Sequence, residues 1–184
     1  MIPAASTTVI GGYVYLYTLK IDEVQKARSM VLVRAAVKTL ELGARRLEYF
    51  SKDHKWRPGF NVADALPVIS PGATEMTVRY HEDSRKFVAV TGPDYLSNSI
   101  KISTSDTLTG PWSEWRSLYS VPEVTTGKPG FDRDTFCYAG KEHIEFYDAE
   151  KKELSITYVC NSSNFQTLIS NLTLYHPVSI HIPL

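Results

Sequence analysis

Met76-Thr77-Val78-Arg79-Tyr80 and Phe87-Val88-Ala89-Val90, parted by Glu82-Asp83-Ser84-Arg85, are the stretch from which the rest of the chain is read. Both runs are rich in β-branched and aromatic residues, and the polar segment between them has turn composition, so together they predict a β-hairpin. Toward the C-terminus, Ser99-Ile100-Lys101-Ile102-Ser103 alternates with period two. Leu108-Thr109-Gly110-Pro111 then breaks the chain before a weaker edge segment, Trp112-Ser113-Glu114-Trp115-Arg116.

The same order recurs on either side. Tyr13-Val14-Tyr15-Leu16-Tyr17-Thr18-Leu19 and Met30-Val31-Leu32-Val33-Arg34-Ala35-Ala36-Val37 read as strands upstream, although the alanines of the second also suit a helix. Downstream, Thr135-Phe136-Cys137-Tyr138 and Leu154-Ser155-Ile156-Thr157-Tyr158-Val159 bracket the charged stretch Asp148-Ala149-Glu150-Lys151-Lys152. The last strand segments are Leu172-Thr173-Leu174-Tyr175 and Val178-Ser179-Ile180-His181-Ile182. One helix is expected, over Ile21 to Ser29.

Residues 9–58, 73–122 and 132–182 therefore each carry a hairpin, a third strand and an edge segment, a repeat of about 50 residues that falls in the propeller range. Trp56 and Trp112 each follow a tight turn near the end of a unit, where an indole can plug the space between blades. The expected fold is all-β, a partial β-propeller of about three antiparallel blades within one domain, 1–184. Propellers usually close with four to eight blades, so three blades imply a fragment, a degenerate member or a ring completed between subunits.

Composition narrows the function. Hydrophobic residues make up 43% and charged residues 22% of 184, enough apolar surface for a packed core. Lys plus Arg and Asp plus Glu both total 20, and no basic stripe of the kind that grips nucleic acid is present. Arg45, Arg46, Lys52, Lys55 and Arg57 are mixed with a glutamate and aromatics, the pattern of a solvated strand face. No apolar run reaches the length of a membrane helix, and Met1 to Ser6 lacks the basic and apolar regions of a signal peptide. Cys137 and Cys160 allow either a disulfide or two buried thiols on neighbouring strands, and no cysteine–histidine spacing suits zinc. The sequence names no cofactor. Asn161 and Asn171 open glycosylation sequons, a pattern common by chance.

Three segments carry a family resemblance. They are Gly12-Tyr13-Val14-Tyr15-Leu16-Tyr17 with Met30 to Arg34; Glu75-Met76-Thr77-Val78 with the turn Thr104 to Trp112; and Tyr138-Ala139-Gly140-Lys141-Glu142-His143 with Leu154 to Ser162 and Leu174-Tyr175-His176-Pro177. In order and spacing these resemble the last three blades of five-bladed glycoside-hydrolase propellers of the family 43 type. The likeness is nearest to a bacterial domain family of unknown function that includes endo-arabinanases. The chain has His143-Ile144-Glu145 where that family writes His-Pro-Glu, so one motif proline is missing.

The resemblance implies a sugar site at the mouth of a central channel. Glycosidic hydrolysis needs two carboxyl groups across the scissile bond. Glu75, opening an innermost strand, is implied as the general acid, or else is a strand-end glutamate in solvent. His143 and Arg34 are implied as substrate-binding groups, and Glu145, two residues beyond His143, is expected on the same strand face. Asp132 and Asp134 read as turn residues, and no metal site is expected. The family's base or nucleophile comes from a blade absent here, so the chain alone is expected to bind sugar without cutting it. The expected function is a truncated glycoside-hydrolase-like propeller; the alternative is a non-catalytic domain assembling through blade edges. The expected partners are an oligosaccharide and further copies of the chain, with no nucleic acid and no membrane. Relatives look extracytoplasmic.

Overall fold

The computed structural model describes residues 2–93 and 97–184. Its strands form three antiparallel sheets, none closed on itself, and the chain divides into two compact units.

The first unit runs to Thr74 and also includes Arg85–Phe87 and Thr104–Ser113. Its strands are β1 (Ile2–Ile10), β2 (Tyr13–Asp22), β3 (Ala27–Ala36), β4 (Glu48–Phe50), β5 (Trp56–Pro58) and β6 (Pro67–Ile69), ordered β1-β2-β3-β4-β5 with β6 also on β3. β2 and β3 pair without interruption from Tyr13↔Ala36 to Asp22↔Ala27. The helix expected over Ile21–Ser29 is thus a hairpin. The Asp22 carboxylate accepts from the backbone N–H of Val24 (3.0 Å) and Gln25 (2.9 Å), and Lys26 takes a left-handed conformation that closes the turn. A helix there would also lack an apolar face to bury, since Val24 is 93% exposed. β1 was not expected as a strand, and a 3-10 helix occupies Val37–Arg46.

Pairing sorts the side chains of this sheet by face. Val31 and Val33 pack with Tyr49 and Ala65 in one small core. Tyr13, Tyr15 and Tyr17 share the other face with Leu32 and Arg34. Tyr17 is fully buried there, its hydroxyl donating to the Leu108 carbonyl at 2.8 Å and its ring meeting Trp112 edge-on at 6.2 Å. Burial pushes that hydroxyl's pKa up.

The second unit comprises Glu75–Ser84, Val88–Ser103 and Glu114–Leu184. One sheet contains β7 (Met76–His81), β8 (Lys86–Thr91), β9 (Ser99–Ser105) and β10 (Arg116–Ser120) in the order β10-β9-β8-β7; the outer ends of β8 and β9 count with the first unit. The expected Met76–Tyr80 hairpin is present, but the segment from Trp112 is irregular until Arg116. The other sheet, β11-β12-β13, is a meander of β11 (Thr135–Glu142), β12 (Glu153–Ser162) and β13 (Pro177–Pro183). Leu172–Tyr175 does not form a strand. It follows a short helix, α1 (Phe165–Ser170), whose first turn is capped by the Asn164 side chain accepting from Gln166 and Thr167 N–H.

Val88, Val90, Ile100 and Ile102 from the first of these sheets and Leu154, Ile156 and Tyr158 from the second form one core. Each such aliphatic side chain contributes about 1.5–3 kcal/mol by leaving water. Cys137 and Cys160 stand opposite each other on β11 and β12 and are joined by a disulfide, which settles the choice between bridge and free thiols. The Glu123 carboxylate lies within 4.8 Å of both sulfurs, yet a disulfide offers no thiolate to a metal. Replacing both cysteines by alanine is expected to lower stability by about 3 kcal/mol, through the entropy restored to the unfolded chain. The melting temperature should fall by roughly 6–12 °C, and an unchanged melt would show that the bridge contributes nothing.

β7 and β11 each end their sheet and run side by side in the same sense. Ala139 N–H reaches the Glu75 side chain, and Glu142 N–H reaches Thr77 Oγ1 at 3.1 Å two residues further along β7. Contact between β11 and the segment after β8 is so close that a Cβ built on Gly140 would stand 1.5 Å from the Gly92 carbonyl oxygen.

Candidate functional site

The site begins with an irregularity in β11. The β11–β12 register shifts between Tyr138 and Lys141, and Ala139 sits in the left-handed region at φ 59°. Such a bulge turns a backbone N–H out of the ladder. Here the freed Ala139 N–H donates to Glu75 Oε2 at 2.8 Å, while Thr91 Oγ1 donates to the Glu75 carbonyl at 2.8 Å. Glu75, the residue before β7, is half-buried and fixed at both backbone and side chain, and Oε1 has no partner among the described residues.

Tyr138, the residue before Ala139, brings together two further polar groups. The Tyr138 hydroxyl interacts with Tyr175 and Asn161, and its pKa is raised, first by burial and then by Tyr175, with the Glu75 charge adding to the shift. Phe136 stacks on Tyr138 at 5.9 Å. Tyr175 is 63% exposed and stands at φ 65°, its backbone N–H held by the Cys160 carbonyl at 2.8 Å. A bulky side chain in the left-handed region is a genuine outlier, and here it presents an aromatic ring to solvent. Tyr138, Asn161 and Tyr175 all lie in the motif segments of the sequence resemblance, but only folding brings them together.

His143 and Glu145 lie elsewhere along the same sheet. β11 ends at Glu142, and Ile144–Phe146 form a 3-10 turn, so Glu145 is not on a strand face with His143 as expected. His143 Nε2 lies 2.8 Å from Thr157 Oγ1, and Nδ1 lies 3.4 Å from Glu145 Oε1. The Glu145 pKa is held below the usual carboxylate range, first by its own backbone N–H and next by His143. His143 is four residues past Ala139, at most about 13 Å along an extended strand. Its partners, Thr157 and Glu145, are not those of Glu75.

Arg34 belongs to the first unit. Its guanidinium is held between two rings, 4.3 Å from the Tyr13 centroid and 4.1 Å from that of Trp56, and Nε donates to Glu48 Oε2 at 2.7 Å. β2, β3 and β4 place these groups opposite one another through the pairs Tyr15↔Arg34 and Arg34↔Glu48.

A family model described as a domain of unknown function (DUF5005) matches residues 3–182. The chain belongs to the DUF5005 family. Among curated proteins none matches. Among solved structures, the DUF5005 chain is similar to a "putative hydrolase" from Bacteroides ovatus, with 18% identity and a TM-score of 0.67 over 96% of this chain and 43% of that one. It is also matched to exo-β-1,3-galactanases from Clostridium thermocellum (17% identity, TM-score 0.43, 86% of this chain and 34% of that one) and Phanerochaete chrysosporium (12%, 0.41, 86% and 35%). The DUF5005 chain spans less than half the length of these structures. The first of these likenesses shows a shared fold.

The DUF5005 chain holds one further polar cluster, which the sequence did not reveal. At the far end of β7, His81 Nε2 lies 2.7 Å from Glu142 Oε1, and both side chains are wholly buried. His81 Nδ1 and Glu142 Oε2 have no hydrogen-bond partner among the described residues. The Tyr147 ring meets His81 edge-on at 4.4 Å and its hydroxyl donates to Asp83 Oδ2 at 2.8 Å. Burial, then the bond to Asp83, pushes the Tyr147 pKa up to about 12, while that bond holds the Asp83 pKa below its ordinary value. The signal available in sequence was a histidine and a glutamate each ending a β-strand run, 61 residues apart, with nothing to pair them.

Proposed function

We propose that this DUF5005 chain is part of a glycoside-hydrolase-like propeller, its blades spanning about residues 9–58, 73–122 and 132–182, and that it binds an oligosaccharide beside Glu75. The observation that carries this reading is the fixed Glu75 carboxylate, one oxygen of which has no partner among the described residues, near the Tyr138 hydroxyl, which in turn meets Asn161 and the exposed Tyr175. Aromatic rings supply flat apolar surface with a polar edge, and a carboxylate accepts from sugar hydroxyls. The same-sense packing of β7 against β11 supports the propeller.

In this reading Glu75 Oε1 faces the glycosidic oxygen or a ring hydroxyl, and His143 and Glu145 meet a more distant part of the ligand. Hydrolysis requires a second carboxyl group across the scissile bond, supplied by further blades or by a partner copy of the chain. A domain that only assembles through its sheet edges is the second reading, favoured by β1, β5 and β10, each of which ends its sheet.

The test is calorimetric titration with arabino-, xylo- and β-1,3-galacto-oligosaccharides. Glu75→Gln is expected to weaken binding roughly tenfold, the loss of a charge-assisted hydrogen bond, and Tyr175→Ala by a similar factor. Oligosaccharide binding that is absent from the wild type, or equal in all three proteins, would remove the site.

A further inference from the structure

The geometry points to a second subsite, in the first unit, where Arg34 grips the carboxylate of an acidic sugar. This deepens the carbohydrate reading by naming a class of ligand, a uronic-acid-containing oligosaccharide, and it rests on that reading.

Arginine normally spends its donors on protein or water. Arg34 spends one, Nε to Glu48, and its two terminal amino groups find no acceptor among the described residues. Those amino groups are absent from the buried unsatisfied atoms, so they reach solvent although the side chain is only 17% exposed. Tyr13 and Trp56 clamp the guanidinium plane from two rings, with Tyr15 edge-on to Trp56 at 5.7 Å. The rotamer entropy that a free arginine loses on binding is therefore already lost, and a planar pair of N–H donors stands ready for two carboxylate oxygens.

Beside it is space for a ring. A hollow of about 450 Å³ is lined by Gly11, Gly12, Tyr13, Ala36, Val37 and Lys38, and so shares Tyr13 with the arginine clamp. A Cβ built on Gly11 or Gly12 would meet nothing within 4 Å, so the turn leaves the hollow open. Lys38, exposed on the rim, adds a second positive charge to a lining that is otherwise apolar. An aromatic wall, an open hollow and two cations together suit a sugar ring bearing a carboxylate, and an acidic peptide is the competing ligand that the test includes.

The experiment titrates digalacturonate, its dimethyl ester and a short polyglutamate against the wild type, Arg34→Lys, Lys38→Ala and Glu75→Gln, with circular dichroism melts to confirm folding. The acid is expected to bind at least about tenfold more tightly than the ester, which keeps the ring and loses the charge. Arg34→Lys should abolish that preference, Lys38→Ala should reduce it, and Glu75→Gln should leave it in place. The acid–ester comparison on the wild type stands even if Arg34→Lys fails to fold. Equal binding of acid and ester overturns the inference while the carbohydrate reading survives. Polyglutamate binding as tightly as digalacturonate overturns it in favour of an acidic peptide, and loss of the acid preference in Glu75→Gln alone transfers it to the Glu75 site. No binding of either sugar overturns the inference, while the carbohydrate reading stands or falls on the neutral oligosaccharides.

Discussion

Glu142→Ala is expected to destabilise the protein by about 3–5 kcal/mol, because it leaves His81 buried beside an empty acceptor position. Both side chains are sealed from solvent, and each already has one unsatisfied atom, so nothing nearby can compensate for the loss. For a chain of this size the melting temperature should fall by about 6–20 °C. His81→Ala should cost a comparable amount. The double replacement His81→Leu with Glu142→Leu should cost clearly less than the two single changes added together, since it removes both stranded groups and restores apolar volume. Simple additivity in a double-mutant cycle would show that the pair does not act as one unit.

Gly140→Ala is expected to be nearly as damaging for a purely steric reason. The added methyl would lie 1.5 Å from the Gly92 carbonyl oxygen, a backbone atom that cannot rotate away. β11 must then separate from the segment after β8, at a cost of about 3 kcal/mol or more. Gly140 directly follows Ala139, whose N–H fixes Glu75, so the same shift should loosen the Glu75 carboxylate. Melts should show the stability loss, and oligosaccharide titration should show weaker binding at temperatures where the variant remains folded. A variant with wild-type melting and binding would contradict the close packing of these two segments.

Strand identity was legible wherever apolar and β-branched residues alternate, as in Tyr13–Leu19, Met76–Tyr80, Ser99–Ser103 and Leu154–Val159, because burial of one or both sheet faces imposes that spacing. It was illegible where pairing alone holds the strand. β1, through Pro3-Ala4-Ala5-Ser6-Thr7-Thr8, has no apolar alternation and is recruited by the long β2 edge. The Ile21–Ser29 stretch misled because charge-rich local sequence suits a helix, while one side-chain acceptor, Asp22, tips it into a turn. Glu75 could be singled out from its motif. The bulge that gives it a backbone donor, and the meeting of Tyr138, Asn161 and Tyr175, depend on register between segments tens of residues apart, which single-sequence periodicity does not encode.

The prolines that open and close β13 bear on how this sheet meets other molecules. Leu184 N–H bonds inward to the Lys152 carbonyl, and backbone direction alternates along a strand, so Pro177 and Pro183 occupy positions whose nitrogens face outward. The inward ladder to β12 loses nothing by them. Along the outer rim, only Ser179 and His181 retain an N–H to offer, where an unbroken strand of the same length would offer four. An arriving strand would leave half of its acceptors unanswered, so this rim resists extension by a foreign chain and guards the sheet against runaway stacking.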